Sequence, residues 1–251
     1  MIGILALILF VLMLVIGGER GATSVMALAG NIIVLTFTII FLARGHSPFL
    51  ILFFATVAIS CVSLFGQNGK NIKTKSAFMA VCIVMFFVTA LIYFVVWKYR
   101  AGGLNEIQSI QEDVMYYYNV NIQISMMQIA VSVTILSALG AAIDTALSVT
   151  SAVHEVAFHK QNLTEKELFR SGIQVGKEII GTTVNTLLFA YLGESLFLFA
   201  YLKREKYPLE LIVNSKFLFQ ELSIMLFGAV TCLLIVPVSA YFAARYLAKK
   251  A

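Results

Sequence analysis

Charge is what this chain has least of. Only 12% of its 251 residues are charged while 60% are hydrophobic, and the mean hydropathy is +0.92; an ordinary soluble domain carries about 25% charged residues. Long polar stretches are also missing, so nearly the whole chain is needed to cross a bilayer repeatedly and no room is left for a separate soluble domain. That excludes a conventional soluble active site, and no nucleophile and base stand at a believable spacing, so the chain does not read as an enzyme. Cysteine is equally sparse. Cys61, Cys82 and Cys232 all fall in apolar runs, where thiols behave as small apolar groups, and they imply neither a disulfide framework nor a metal cluster. His154-Glu155 with His159 superficially matches the zinc-protease helix signature, but that signature needs histidines four apart on one face. Here they are five apart, about 140° around a helix. No cofactor is expected. The net charge of +5 needs no nucleic-acid partner, because basic residues beside anionic lipid account for it.

What is present is a series of charge-poor windows of the length that crosses about 30 Å of hydrocarbon. They predict an all-α, polytopic transmembrane bundle of about seven spans. The first runs from Ile2 to about Ile16, ending at Gly17-Gly18-Glu19-Arg20. No basic residue precedes it and no small-x-small cleavage site follows, so it reads as a retained helix rather than a secretory signal. The second lies between Arg20 and Arg44, the third between Pro48 and Phe65, and the fourth between Ser76 and Trp97. The fifth contains Asp144, the sixth starts near Ile179, and the seventh occupies Leu222 to Ala244. Residues 1–100 thus form a four-span N-terminal region, and 101–251 a core with three spans. With the N-terminus outside, eleven Lys and Arg residues collect on the inner face against seven on the outer, which favours an inside C-terminus. Asn162-Leu163-Thr164 has the glycosylation pattern but lies on that inner face.

Gly102-Gly103 separates the two regions. After it, Leu104, Ile107, Ile110, Val114 and Tyr118 recur at helical spacing opposite Glu106, Gln108, Glu112 and Asp113. The pattern predicts an amphipathic helix at the membrane interface, with Tyr116-Tyr117-Tyr118 as its anchor.

Asp144 is the only charge between Val114 and Val153. An intramembrane carboxylate costs roughly 2.5–3.5 kcal/mol on insertion scales and usually faces a bundle interior or a wet cavity. Around it, Ser137 to Ser148 is rich in small residues, Gly140 among them, which lets another helix approach closely. Asp144, Ser148, Ser151 and Glu155 follow at spacings of four, three and four and share one helical face. This polar stripe descends toward the inner surface. Thr164-Glu165-Lys166-Glu167 has the spacing of a capping box and opens the next helix. That helix carries Gly172, Gly176 and Gly181, read as close-contact positions against the Asp144 helix. Thr182, Thr183, Asn185 and Thr186 then cluster at the inner end of the sixth span, where an antiparallel hairpin brings them within reach of the stripe below Asp144. Glu194 is a second intramembrane acid, about 24 Å beyond Glu178 on an ideal helix.

Ala138-Leu-Gly-Ala-Ala-Ile-Asp144 with Ser151-Ala-Val-His-Glu155, Glu167-Leu-Phe-Arg170-Ser-Gly172 with Val175-Gly176, and Thr183-Val-Asn185-Thr-Leu187 with Ala190-Tyr191-Leu-Gly193 together resemble the YibE/F family of bacterial polytopic membrane proteins. The resemblance is strongest from about Tyr99 to Leu202, and the chain looks like the short, YibF-like type that lacks an N-terminal extramembrane domain. It implies a multi-pass protein of the bacterial cell membrane. Many relatives carry a second Asp beside the first, where this chain has Ile143 or Thr145, which argues against a paired-carboxylate mechanism. The order of an Asp in a small-residue helix, a short inner loop and a Thr-rich helix start is also similar to the last three helices of SecD/SecF. By that analogy Asp144 belongs to a permease-like or proton-coupled transport component. The alternative is a non-catalytic subunit or scaffold, held by helix packing to a larger YibE-like protein or to further copies of itself.

Overall fold

The computed structural model describes residues 1–99, 102, 126–160, 163–204 and 206–248. The described residues are helical throughout, with no strand among them. Helix α1 spans Ile2–Ala43 and α2 spans Pro48–Cys61, continued by a π turn over Val62–Gly66. Then come α3 (Ile72–Lys98), α4 (Met126–His159), α5 (Glu165–Arg204), the short α6 (Leu209–Val213) and α7 (Lys216–Ala248). The expected interfacial helix over 104–118 lies outside the described residues.

The first two expected spans are joined without a loop. Helix continues through Glu19 and Arg20, broken only by Gly18 at φ 54°, ψ −133°, a conformation that essentially only glycine adopts. The break folds the chain back tightly: a Cβ on Gly21 would stand 1.8 Å from the Met13 carbonyl oxygen. Two adjacent glycines thus replace the loop that the charged pair implied. Pro48 then starts α2 at the first helical turn, where its missing N–H costs nothing. At the start of α3, Asn71 Oδ1 accepts from Thr74 N–H at 2.9 Å and Thr74 Oγ1 accepts from Asn71 N–H at 3.0 Å. This reciprocal cap satisfies two backbone donors that a helix start otherwise leaves open.

Packing separates the helices into two groups. Helices α3, α4, α5 and α7 form the bundle, with α4 and α7 at its centre, whereas α1 packs chiefly on α2 and the π turn. Asn31 Nδ2 donates to Ser63 Oγ at 2.9 Å and Gln67 Nε2 to Ser24 Oγ at 2.7 Å, tying the π turn to α1. Leu52, Val81, Val88, Ile135, Leu139 and Ile235 lie in the main core between α2, α3, α4 and α7. A second core near the other end of the bundle gathers Val149, Val153, Leu168, Val236 and Ala240 from α4, α5 and α7.

Among the described residues, five helices or helical stretches are long and apolar enough to cross a membrane: Ile2–Ala43, Pro48–Gly66, Ile72–Lys98, Met127–His159 and Lys216–Ala248. The expected count of seven differs at two places. Ile2–Ala43 is a single helical stretch folded back at Gly18, and α5, whose side chains at 194, 197, 198 and 201 lie outside the described residues, is not among the five.

Candidate functional site

Helix α4 is buried on almost every side. Ala138, Ala142, Ala146, Val149 and Val153 are each 0% exposed, and their small or β-branched side chains let α3, α5 and α7 close in around them. One narrow stripe stays open. From the middle of the helix to Glu155 it reads Gly140, Asp144, Ser148 and Glu155, all exposed, with Ser151 half-buried, and Phe158 and His159 are exposed at the helix end beyond it. The face that the 4-3-4 spacing picked out is therefore the open face of α4. Asp144 does not point into the interior of the described bundle; that direction is taken by Thr145, whose hydroxyl lies 3.4 Å from Cys232 Sγ of α7.

The mate of this stripe is α5, opened by a reciprocal cap at the expected position. Thr164 N–H donates to Glu167 Oε2 at 2.9 Å, Thr164 Oγ1 donates to the same oxygen at 2.7 Å, and Glu167 N–H donates back to Thr164 Oγ1 at 3.4 Å. These bonds hold the Glu167 carboxyl below the usual carboxylate range. Two contacts fix the register of α5 on α4. Ser137 Oγ meets the Tyr191 hydroxyl, and a Cβ on Gly172 would press on Val153 Cγ2. The helices are antiparallel. Seven residues on from Ser137 and seven back from Tyr191 pairs Asp144 with residue 184; nine back from Val153 and nine on from Gly172 pairs it with residue 181. Asp144 thus lies level with Gly181, Thr182, Thr183 and Val184, a turn deeper than the sequence placed the hydroxyl cluster.

Within that cluster, Thr182 and Asn185 are exposed and Thr183 is half-buried. Thr182 Oγ1 donates to Ile179 O at 2.9 Å and Thr186 Oγ1 to Thr182 O at 2.9 Å, so these hydroxyls are satisfied by their own helix. Asp144, Ser148, Ser151 and Asn185 have no hydrogen bond from their side chains to any described residue. Glu194 belongs to α5, but its side chain lies outside the described residues.

The four glycines of the packing expectation divide evenly. A Cβ on Gly172 would come within 2.7 Å of Ala240 Cβ and one on Gly176 within 2.2 Å of Val236 Cγ1, while Gly140 and Gly181 face open space. The tight pair serves mainly the α5–α7 contact rather than the expected contact with α4. Val236 and Ala240 flank Pro237, which interrupts the hydrogen-bond ladder of α7.

At the end of the stripe, Lys73 Nζ of α3 pairs with Glu155 Oε1 at 3.0 Å. Lys73 and Tyr191 are the two functional neighbours that sequence reasoning missed. Lys73 figured there only in the tally of basic residues, and Tyr191 only as part of a motif, because neither helix spacing nor charge reveals a partner on another helix.

The architecture is that of an integral membrane protein with an acid inside an apolar helix and a small-residue helix pair beside it. The YibE/F-like protein family matches residues 5–249, and the chain belongs to it. That match takes in the first spans as well as the region where the motifs are densest. No curated protein matched the chain, and no solved structure did.

Proposed function

We propose that this protein is a permease-like or proton-coupled membrane transport component, with Asp144 as the group that gains and loses the proton. The observation that carries the reading is the setting of Asp144: an acid in a membrane helix, on the one open stripe of α4, without a described ion-pair partner, level with Gly181–Val184 of α5. Acids in such places mark ion and proton pathways more often than structural sites. Thr183 and Asn185 stand on the adjoining helix as further polar groups, and the Pro237 interruption beside the α5–α7 contact supplies a place where two packings can interconvert. In this reading the chain crosses the cell membrane seven times. The halves of α1 count separately and α5 is included, with the N-terminus outside and the C-terminus in the cytoplasm.

The test is reconstitution of the purified protein in vesicles carrying an internal pH-sensitive dye. A potassium diffusion potential should drive proton entry, and Asp144→Asn should stop it while leaving insertion and size-exclusion behaviour unchanged. Wild-type flux in that variant sinks the reading.

The open space at Gly140 and Gly181 favours a second reading: a subunit that completes a complex with a larger YibE-like protein or with copies of itself. Affinity purification from native membranes in mild detergent separates the two. A stoichiometric larger partner makes the chain a subunit, and an active lone species removes that role.

A further inference from the structure

We propose that the open stripe of α4 is one wall of a water-filled half-channel that enters at the Lys73–Glu155 end of the bundle and ends at Asp144. The surface of the same molecule provides the contrast. Helix α3 turns Met79, Phe86, Phe87, Phe94 and Trp97 outward, large apolar groups suited to lipid. Between Gly140 and Glu155, helix α4 exposes Gly140, Asp144, Ser148 and Glu155, with Ser151 half-buried, and its large exposed apolar groups, Ile129, Val133 and Phe158, lie beyond the two ends of that stretch. A lipid-facing stripe of that kind is costly, so something other than hydrocarbon covers it, and we take that cover to be water.

The hydroxyls of the stripe supply bonding capacity for such a medium. Elsewhere in these helices Thr89, Ser171 and Ser223 do not donate to the carbonyl four residues back, while Ser60, Ser76, Ser132, Thr134 and Thr231 each do. That is how a helix satisfies a hydroxyl that has nothing else to bond. Ser148 and Ser151 make no such bond, and neither they nor Asp144 and Asn185 find a protein partner among the described residues. Two serines and a carboxyl with free capacity, along one stripe, provide bonding sites for a file of waters. From Glu155 to Asp144 the file runs eleven residues, about 16 Å on an ideal helix. Its outer end is marked by charged, partly hydrated groups, since Glu155 keeps 57% of its side chain exposed and Lys73 27%. The path deepens the reading of Asp144 as a proton carrier by giving that proton a single side of access, but the water itself depends only on the surface chemistry.

The experiment is cysteine accessibility in sealed native vesicles of both orientations, on the full chain with Cys61, Cys82 and Cys232 replaced by Ala. Ser148→Cys and Ser151→Cys are compared with Phe87→Cys on the lipid face of α3, and Lys70→Cys, in the exposed loop before α3, reports which side carries the Lys73 end. A charged, impermeant thiol reagent should modify both stripe cysteines from the Lys70 side more than about tenfold faster than Phe87→Cys, because the reactive thiolate forms only where water solvates it. Rates equal to that of Phe87→Cys, or modification only from the opposite side, overturn the half-channel. Failure here is separable from failure of the transport reading. Closed serines with flux abolished by Asp144→Asn remove the channel alone. Open serines with flux retained in that variant remove the proton role and leave the channel.

Discussion

The N-terminal helix and the Asp144 helix invert the rule that holds for water-soluble proteins. In α1 the most hydropathic window has none of its residues buried, whereas in α4, the least apolar of the five candidate spans, 61% of the window is buried. Around α1 the solvent is hydrocarbon, so Leu, Ile and Phe face outward at no cost, and the helix needs little protein contact beyond α2. Around α4 the environment is protein, and what makes that contact close is smallness: alanines at 138, 142 and 146 in place of bulk. Apolarity therefore reports contact with lipid here, and a fall in apolarity reports contact with protein or water. The polar residues of α4 and α5 are the informative ones for the same reason.

Breaking the protein side of this contrast should produce the largest effect. In Gly176→Leu, a branched side chain is pushed into the position where even a Cβ would stand 2.2 Å from Val236, and overpacking of this kind typically costs about 1–3 kcal/mol or more. The expected outcome is loss of a monodisperse peak and a fall in melting temperature in detergent. Gly140→Leu, facing open space, should leave the isolated protein's melting temperature unchanged. Equal damage from the two would show that the open face of α4 is packed after all.

The same charge placed on the two kinds of surface sharpens the comparison at the next scale down. Ile33 is 56% exposed on α1, and Ile33→Asp should cost roughly 2.5–3.5 kcal/mol of insertion free energy, seen as a lower inserted fraction in a translocation assay. Ser148→Asp, on the stripe of α4, should insert nearly as well as wild type. An equal penalty at both positions would make the stripe a lipid face. A smaller effect is expected at Gly18, where Gly18→Ala forces a side chain into φ 54°, ψ −133° and should destabilise the fold-back by about 1–3 kcal/mol, read as a lower melting temperature.

Much of this contrast was legible in the sequence, because the bilayer imposes it on composition. The apolar windows gave the all-helical membrane class and fall on the five long apolar stretches, though not in a count of seven. The 4-3-4 spacing put Asp144, Ser148, Ser151 and Glu155 on one face, and Thr164 with Glu167 marked the start of α5 within a residue. Relations between helices were not legible. Gly172 and Gly176 announced a close approach, yet the partner is mainly α7, since small residues specify distance and not identity. Gly17-Gly18-Glu19-Arg20 reads as a loop by its charges, but two glycines can reverse a helix without one. The Lys73–Glu155 pair joins residues 82 positions apart, and no periodicity within a helix encodes that.

The smallest expected effect lies at the charged start of α5, where Thr164 and Glu167 are both exposed. Thr164→Ala removes the hydroxyl that shares Glu167 Oε2 and caps Glu167 N–H, and loss of an N-cap side chain typically costs about 1 kcal/mol. The contribution of Glu167 carries a pH signature. Its carboxyl is held below its ordinary value in the folded protein, so the unfolded chain binds the proton more readily. The stabilisation is then complete above the ordinary glutamate value of about 4.3 and disappears as pH falls through the lower folded value. Melting temperatures measured in detergent from pH 7 down to acid should show wild type losing its advantage over Glu167→Gln in that range. Parallel curves would mean that the cap holds through Thr164 alone.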